Sequence, residues 1–388
     1  MTAEEPWCPV KRATQGPLFH FFGYYDKCPW DASGRYLLAM RVAFMNRPPG
    51  PEDIAVIGYV DLENDCRWHP LAETVAWYWQ QGTMLQWMPR APDREIIFNT
   101  RTREGFGSTI LDVKTGASRS LPRPIYALAS DGCSAVTLNF SRVHRTRPGY
   151  GYVGVPDRWE GELAPEHDGI YCLDLESGES RLIISLAQIA RIEPESSMEG
   201  AIHWFNHLQF NTTGTRFLFL HRWRDPSGKA RQTRMFTANP DGSDIAFLGR
   251  EGMVSHFDWR DETHVLAWST RGGENHYHLY EDQSERIEVV GQDVLDQDGH
   301  CSYSPDRRWI LTDTYPDRLE SKRTLILYDP GTNRRIDIGR FHSSPQIAGE
   351  IRCDLHPRWN RDGTQVCFDS IHEGERQMYV ADVSAVVE

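Results

Sequence analysis

The sequence predicts an all-β protein, a seven-bladed β-propeller, on three observations. One strand-turn-strand unit recurs seven times along the 388 residues. Most copies are followed by a third strand that ends in an Asp-containing turn. The composition, 13 Trp, 15 Tyr and 16 Phe beside 31 Gly and 23 Pro, suits many short strands joined by tight turns.

The copies are "CPWDASGRYLLAMR" (28–41), "WMPRAPDREIIFNT" (87–100), "ALASDGCSAVTLNF" (127–140), "FNTTGTRFLFLHR" (210–222), "WRDETHVLAWST" (259–270), "YSPDRRWILTDTY" (303–315) and "WNRDGTQVCFDS" (359–370). Each turn carries Asp, Asn or Gly, which supply positive φ or an Asx bond in a tight hairpin. The third strands are "VIGYVDLEND", "STILDVKTGAS", "GIYCLDLESGES", "RMFTANPDGSD" and "TLILYDPGTNRR". Seven four-stranded blades of roughly 40 to 50 residues fill the chain, the period expected of a propeller. Residues 1–388 are therefore expected to form one domain, with the N-terminal segment closing the ring against the last blade. The longer gap at about 141–200 reads as a rim insertion, and "SRLIISLAQIARI" within it as the one plausible helix. A β-sandwich is the competing architecture, but seven in-phase hairpins favour a closed ring.

Charge and composition exclude some classes of function. With 42 Lys and Arg against 55 Asp and Glu, the net charge of −13 argues against a nucleic-acid partner. No apolar run approaches the roughly 18 residues of a membrane span, and "MTAEEPWCPVKRATQ" lacks the basic head and apolar core of a secretion signal. The eight cysteines form no CxxC pair and read mostly as reduced, buried residues. These features predict a cytoplasmic protein.

Four histidines share one register. Aligning the units on the aromatic that opens the first strand (Phe210, Trp259, Tyr303, Trp359) places His207, His256, His300 and His356 three residues earlier. Innermost strands line a propeller's channel, so equivalent positions lie on one ring. A single such histidine reads as a blade cap bonded to backbone; four in consecutive blades read as imidazoles converging on one volume. That arrangement suits Zn²⁺ or Mn²⁺. Beside His356, "RCDLHP" offers Cys353 and Asp354. Strand alternation puts Asp354 in phase with His356, whereas Cys353, slightly preferred as the ligand, requires a bulge; both stay open.

Other clusters carry two readings each. "SRVHRTRPGYGY" (141–152), with His144 and Tyr150, is either a loop that binds a carboxylate or sulfate through arginine forks or a solvated basic loop. In "FHFFGYYDK", His20, Tyr24 and Tyr25 read as core aromatics rather than site residues. His276 and His278 share a strand face that reads as a blade edge. Trp77, Trp79, Gln86 and Trp87 form a sugar-stacking wall or pack between blades.

The hairpin units, "GHCSYSPD", "HPRW" and "HLQF…FLHRW" resemble the propeller polysaccharide lyases, the oligogalacturonate lyases and ulvan lyases, with TolB-like repeats. Resemblance to the oligogalacturonate lyases implies a histidine base at His256, an assisting Arg234 in "TRMFTANPDG", and metal-ligand histidines at His300 and His356. Asp354 stands where that family has a further histidine ligand. Resemblance to the ulvan lyases instead directs attention to His144, His207, Tyr150 and Arg222. The implied substrate is a uronate-containing oligosaccharide.

The chemistry accounts for these residue types. β-Elimination at a uronate removes the weakly acidic C5 proton beside the C6 carboxylate and expels the O4 substituent. A cation on the carboxylate stabilises the enolate-like charge, and a His or Tyr takes the proton. A non-catalytic TolB- or WD-like binding propeller is the alternative; such a module has no reason to converge imidazoles. A glycoside hydrolase requires two facing carboxylates, and no such pair is recognisable in the sequence.

Overall fold

Several strands of this chain are apolar without alternation, as in "YLLAM", "EIIF" and "RFLFL", because both faces of a blade pack against neighbouring blades. Leu37, Leu38, Ala39 and Met40 are all fully buried on successive positions of one strand. Each large side chain so buried contributes about 1.5–3 kcal/mol relative to exposure. The computed structural model describes residues 8–225, 228 and 231–388. Its strands form seven antiparallel sheets of four strands each, the blades of a propeller. Blade 1 starts with Phe19–Phe21, blade 2 with Gln86–Trp87 and blade 3 with Ala127–Leu128. Blades 4 to 7 have Ile202–Phe210, Val254–Trp259, Ser302–Tyr303 and Arg358–Trp359 as their innermost strands.

The ring closes through both termini. Blade 7 takes three strands from the C-terminal region, and Val10–Arg12 adds the fourth, antiparallel to Gln377–Asp382 with Val10 opposite Ala381. Arg12 also pairs with Glu373 and Glu375, but these ion pairs are half-exposed and add little; the backbone ladder closes the ring.

The helices differ from expectation. Ser180–Ser185 of "SRLIISLAQIARI" is the outer strand of blade 3, and only Leu186–Ala190 is helical, capped by the Ser185 side chain. The β-branched run Ile183–Ile184 pairs with blade 3 more favourably than it would extend a helix. A second helix, Phe140–Thr146, starts where a strand was expected to end; the Asn139 side chain accepts from the Arg142 amide and caps it. It opens the segment between Ser134–Thr137 and Gly169–Asp174, so blade 3's outer two strands lie inside the 141–200 stretch.

Candidate active site at the centre of the propeller

The shared register of the four histidines becomes a cluster. Ring centroids of His256 and His300 lie 4.1 Å apart, and those of His300 and His356 lie 4.4 Å apart. Tyr24 bridges to the fourth: its ring stacks on His207 at 5.0 Å and meets His356 edge-on at 5.0 Å. His207 and His356 have φ of 53° and 43°, as does Met84 (55°) at the same register of blade 2. Left-handed backbone at non-glycine residues is sparsely populated and collects at functional sites. Each of the four histidines is buried; the half-exposed Tyr315 stands over His256 and His300 at ring distances of 6.4 and 6.2 Å.

Each histidine is oriented by its own partners. Nδ1 of His300 pairs with both oxygens of Asp313 at 2.8 and 3.0 Å. Burial alone would lower its proton affinity, but Asp313 outweighs it and the pKa is raised. Nδ1 of His256 lies 2.9 Å from Asp298, which also accepts from Ser255; burial still holds this imidazole below its ordinary range. Burial, followed by Arg222, drives His207 far down. Its ring nitrogens meet Tyr24, Tyr126 and Gln81 at 3.4, 3.2 and 3.3 Å.

Three of these residues offer metal ligands. One ligand atom each from His300, Asp354 and His356 lies within 4.8 Å of the other two. Nε2 of both His300 and His356 is buried without a hydrogen-bond partner, and Asp313 behind His300 is the outer carboxylate that metal-bound histidines commonly have. Two neutral nitrogens and a carboxylate suit Mn²⁺ or Zn²⁺, so the residues fit such an ion. Asp354 is held far below the usual carboxylate range: burial opposes this, and Arg352 and Arg323, paired to it at 2.7 Å each, prevail. Cys353 is not in the group; it packs with Ile347 and Ile371, because the chain around it leaves Asp354, not Cys353, facing the same way as His356. His256 contacts His300 but lies outside the ligand triad.

A cationic wall flanks the histidines. Arg222 is 2% exposed, and its Nε and Nη1 have no hydrogen-bond partner. Burial, reinforced by Arg147, lowers its pKa to about 10, while Tyr150, Tyr24 and Tyr126 oppose the shift. The Tyr150 hydroxyl accepts from Arg352 at 2.8 Å and from Arg147 at 3.4 Å. Burial pushes this phenol up, yet the two guanidinium groups outweigh burial and bring it down to about 8.

Arg234 and His144 fall elsewhere. Arg234 lies cross-strand from His221, on the blade face opposite to Arg222. Its Nη1 donates to the carbonyls of Ile192 and Glu193 at 2.9 Å, and Nη2 to that of Ile189 at 3.2 Å, so both Nη groups are committed to the end of helix Leu186–Ala190 and the residues after it, while Nε has no hydrogen-bond partner among the described residues. His144, on helix Phe140–Thr146, faces Tyr78 at 5.7 Å and not the other histidines. Trp77, Trp79 and Trp87 are buried between blades with each indole N–H on a backbone carbonyl, which leaves no sugar-stacking wall there. His278 is buried against Ser269 and His276 pairs with the exposed Glu274, both on the third strand of blade 5.

Tyr24 and Tyr25 are buried core aromatics, as expected, but that part of the core also packs against the four histidines. Tyr25 contacts His256 and His300 on one side. On the other it lines a cavity of about 380 Å³ with Gln209, Asp258, Ser302 and Arg358, each two residues beyond one of the four histidines. Arg147 belongs to the arginine forks expected of 141–152, whereas Arg352, Asp298 and Asp313 were missed. Their only signal was proximity to a candidate, as with Arg352 two residues before Asp354.

No protein-family model and no curated protein sequence matches the chain. Among solved structures it is similar to an oligogalacturonate lyase from Vibrio parahaemolyticus, with a TM-score of 0.69 and 16% identity over 99% of this chain and 96% of that one. It is also similar to an oligogalacturonate lyase in complex with manganese, with a TM-score of 0.67 and 17% identity over 98% and 95%. The β-propeller domain of the Trilobed protease from Pyrococcus furiosus gives a TM-score of 0.55 and 12% identity over 94% and 96%. At these identities the likeness concerns the fold.

Proposed function

We propose that the chain is a carbon–oxygen lyase that cleaves uronate-containing oligosaccharides by β-elimination. One observation carries the reading: Arg222 is a buried guanidinium with two unpartnered nitrogens and no carboxylate partner among the described residues. A buried, unpaired cation is costly, and a uronate carboxylate supplies the missing charge. A carboxylate held by Arg222 and Arg147 would stand beside Tyr150, whose hydroxyl accepts from Arg147 at 3.4 Å and whose phenol is brought down to about 8.

In this scheme Tyr150 takes the C5 proton as a phenolate, and Arg222 and Arg147 stabilise the carboxylate as charge moves onto it. The Tyr24 and His207 pair returns a proton to the departing O4 oxygen. His300, Asp354 and His356 would hold a divalent Zn²⁺ or Mn²⁺, which would supply further neutralisation of the negative charge that develops in the reaction. A second assignment of the base, His256, rests on its bond to Asp298, which fixes Nδ1–H and leaves Nε2 as the acceptor. The manganese complex of a similar fold supports the ion. Eight free thiols support a reducing compartment, the cytoplasm.

Incubation with galacturonate and glucuronate oligosaccharides, with Mn²⁺ or Zn²⁺ restored, tests the reading. The expected product has a C4–C5 double bond conjugated to the carboxylate and absorbs in the ultraviolet. Absence of that absorbance for every uronate favours the non-catalytic binding propeller.

A further inference from the structure

A second cavity, of about 620 Å³, lies outside the channel on blade 3 and the segment that precedes its third strand. Its lining includes Trp159, Tyr171, Arg123, Arg158 and His167. The Arg123 guanidinium lies over the Tyr171 ring at 3.7 Å, and that of Arg158 over the Trp159 ring at 5.3 Å. Neither arginine forms an ion pair among the described residues; Arg123 donates its Nε to Ser180 at 2.7 Å and also interacts with the Tyr171 hydroxyl. The two guanidinium groups share the lining with two carboxylates, the exposed Glu104 and the buried Asp168, and the Asn139 side chain donates to Asp168 at 2.9 Å.

The groove is built rather than incidental. Arg142, 1% exposed, ties the segment down: it donates to the carbonyls of Trp159, Glu162 and Leu163, pairs with Asp157, and reaches the His203 carbonyl of blade 4. A rigid wall that presents planar guanidinium forks, stacked on Tyr171 and Trp159, matches an anionic substituent on a sugar ring.

We infer that this groove is a second saccharide-binding site, specific for sugars that carry a carboxylate or sulfate, and separate from the channel. It goes beyond the lyase reading and rests on its own residues. The test uses the full chain with Tyr150→Phe to prevent turnover, titrated by calorimetry with a galacturonate trimer, a sulfated galactose trimer and neutral galactotriose. The expected result is a binding event that persists in Arg222→Ala, weakens at least about tenfold in the Arg123→Ala/Arg158→Ala double variant, and is at least about tenfold weaker for galactotriose. The carboxylated and sulfated arms decide which anion the forks prefer. An unchanged affinity in a folded double variant, or equal binding of galactotriose, overturns the site. Trp159→Phe, which keeps the packing, serves as the second variant if the double variant unfolds: it should weaken binding, and unchanged affinity there also overturns the site. The two readings fail separately: groove binding without any unsaturated product refutes the lyase alone, and product formation without a groove event refutes the groove alone.

Discussion

Arg352 donates from Nη2 to the Tyr150 hydroxyl at 2.8 Å while its Nε holds Asp354 at 2.7 Å. One guanidinium therefore joins the phenol proposed as base to the carboxylate proposed as metal ligand. The contact spans 202 residues of sequence, and it makes the protonation of Tyr150 depend on the connection between blades 6 and 7.

This link has a pH signature. The base acts deprotonated, so turnover should rise with pH and level off above about 8. Tyr150→Phe should lower turnover by roughly two to four powers of ten. Arg352→Ala removes the largest charge that lowers the phenol, so the rising limb should move to higher pH in ultraviolet-monitored pH–rate profiles. Because the folded pKa is depressed from 10 to about 8, the shift also adds stability that is complete above pH 10 and lost as pH falls through 8.

The two histidine assignments separate by substitution. If Tyr150 is the base, His256→Ala should retain the same pH limb with reduced turnover, and His207→Ala should lose roughly two to four powers of ten through the leaving group. Substrates with a better leaving group at O4 should rescue His207→Ala and not Tyr150→Phe. Loss of the pH limb in His256→Ala, with full activity in Tyr150→Phe, transfers the base to His256.

Arg222 and Arg234 should behave oppositely. Arg222→Met removes a buried, unpaired cation, so it should abolish turnover while leaving the melting temperature unchanged or raising stability by about 1–4 kcal/mol. Arg234→Met strips three carbonyls of their donor and should cost about 3 kcal/mol, with turnover per folded molecule retained. Calorimetric melting beside kinetics reads both.

Metal content should follow the triad. His300→Ala and His356→Ala should each lower Mn²⁺ or Zn²⁺ affinity by roughly a factor of ten or more, measured by elemental analysis after purification without chelator. Cys353→Ser should leave it unchanged. Less than roughly a tenth of an equivalent in the unmodified chain rejects the metal site.

Ring closure should depend on Val10–Arg12. Removing residues 1–13 exposes the edge of Gln377–Asp382, and the expected outcome is a lower melting temperature and association of the unpaired edges, seen by light scattering.

The propeller was legible because its cause is local. The turn residues, the apolar runs of blades buried on both faces, and the repeat that aligns them all act within some forty residues, roughly one blade. The same period made His207, His256, His300 and His356 recognisable as one ring, since ring height follows from register. What register cannot state is which groups come from outside the repeat. Tyr24 and Tyr25, Arg147 and Tyr150 lie on connections between strands, where no period constrains position, and only the closed ring brings them to the histidines. Asp298 and Asp313 became visible as orienting carboxylates only through distances of 2.9 and 2.8 Å. The choice of Asp354 over Cys353 and of Arg222 over Arg234 was likewise tertiary. Each pair is close in sequence and similar in composition, and the backbone path, left-handed at His356 and alternating along Phe217–Arg224 and Arg231–Ala238, decides which member faces the channel.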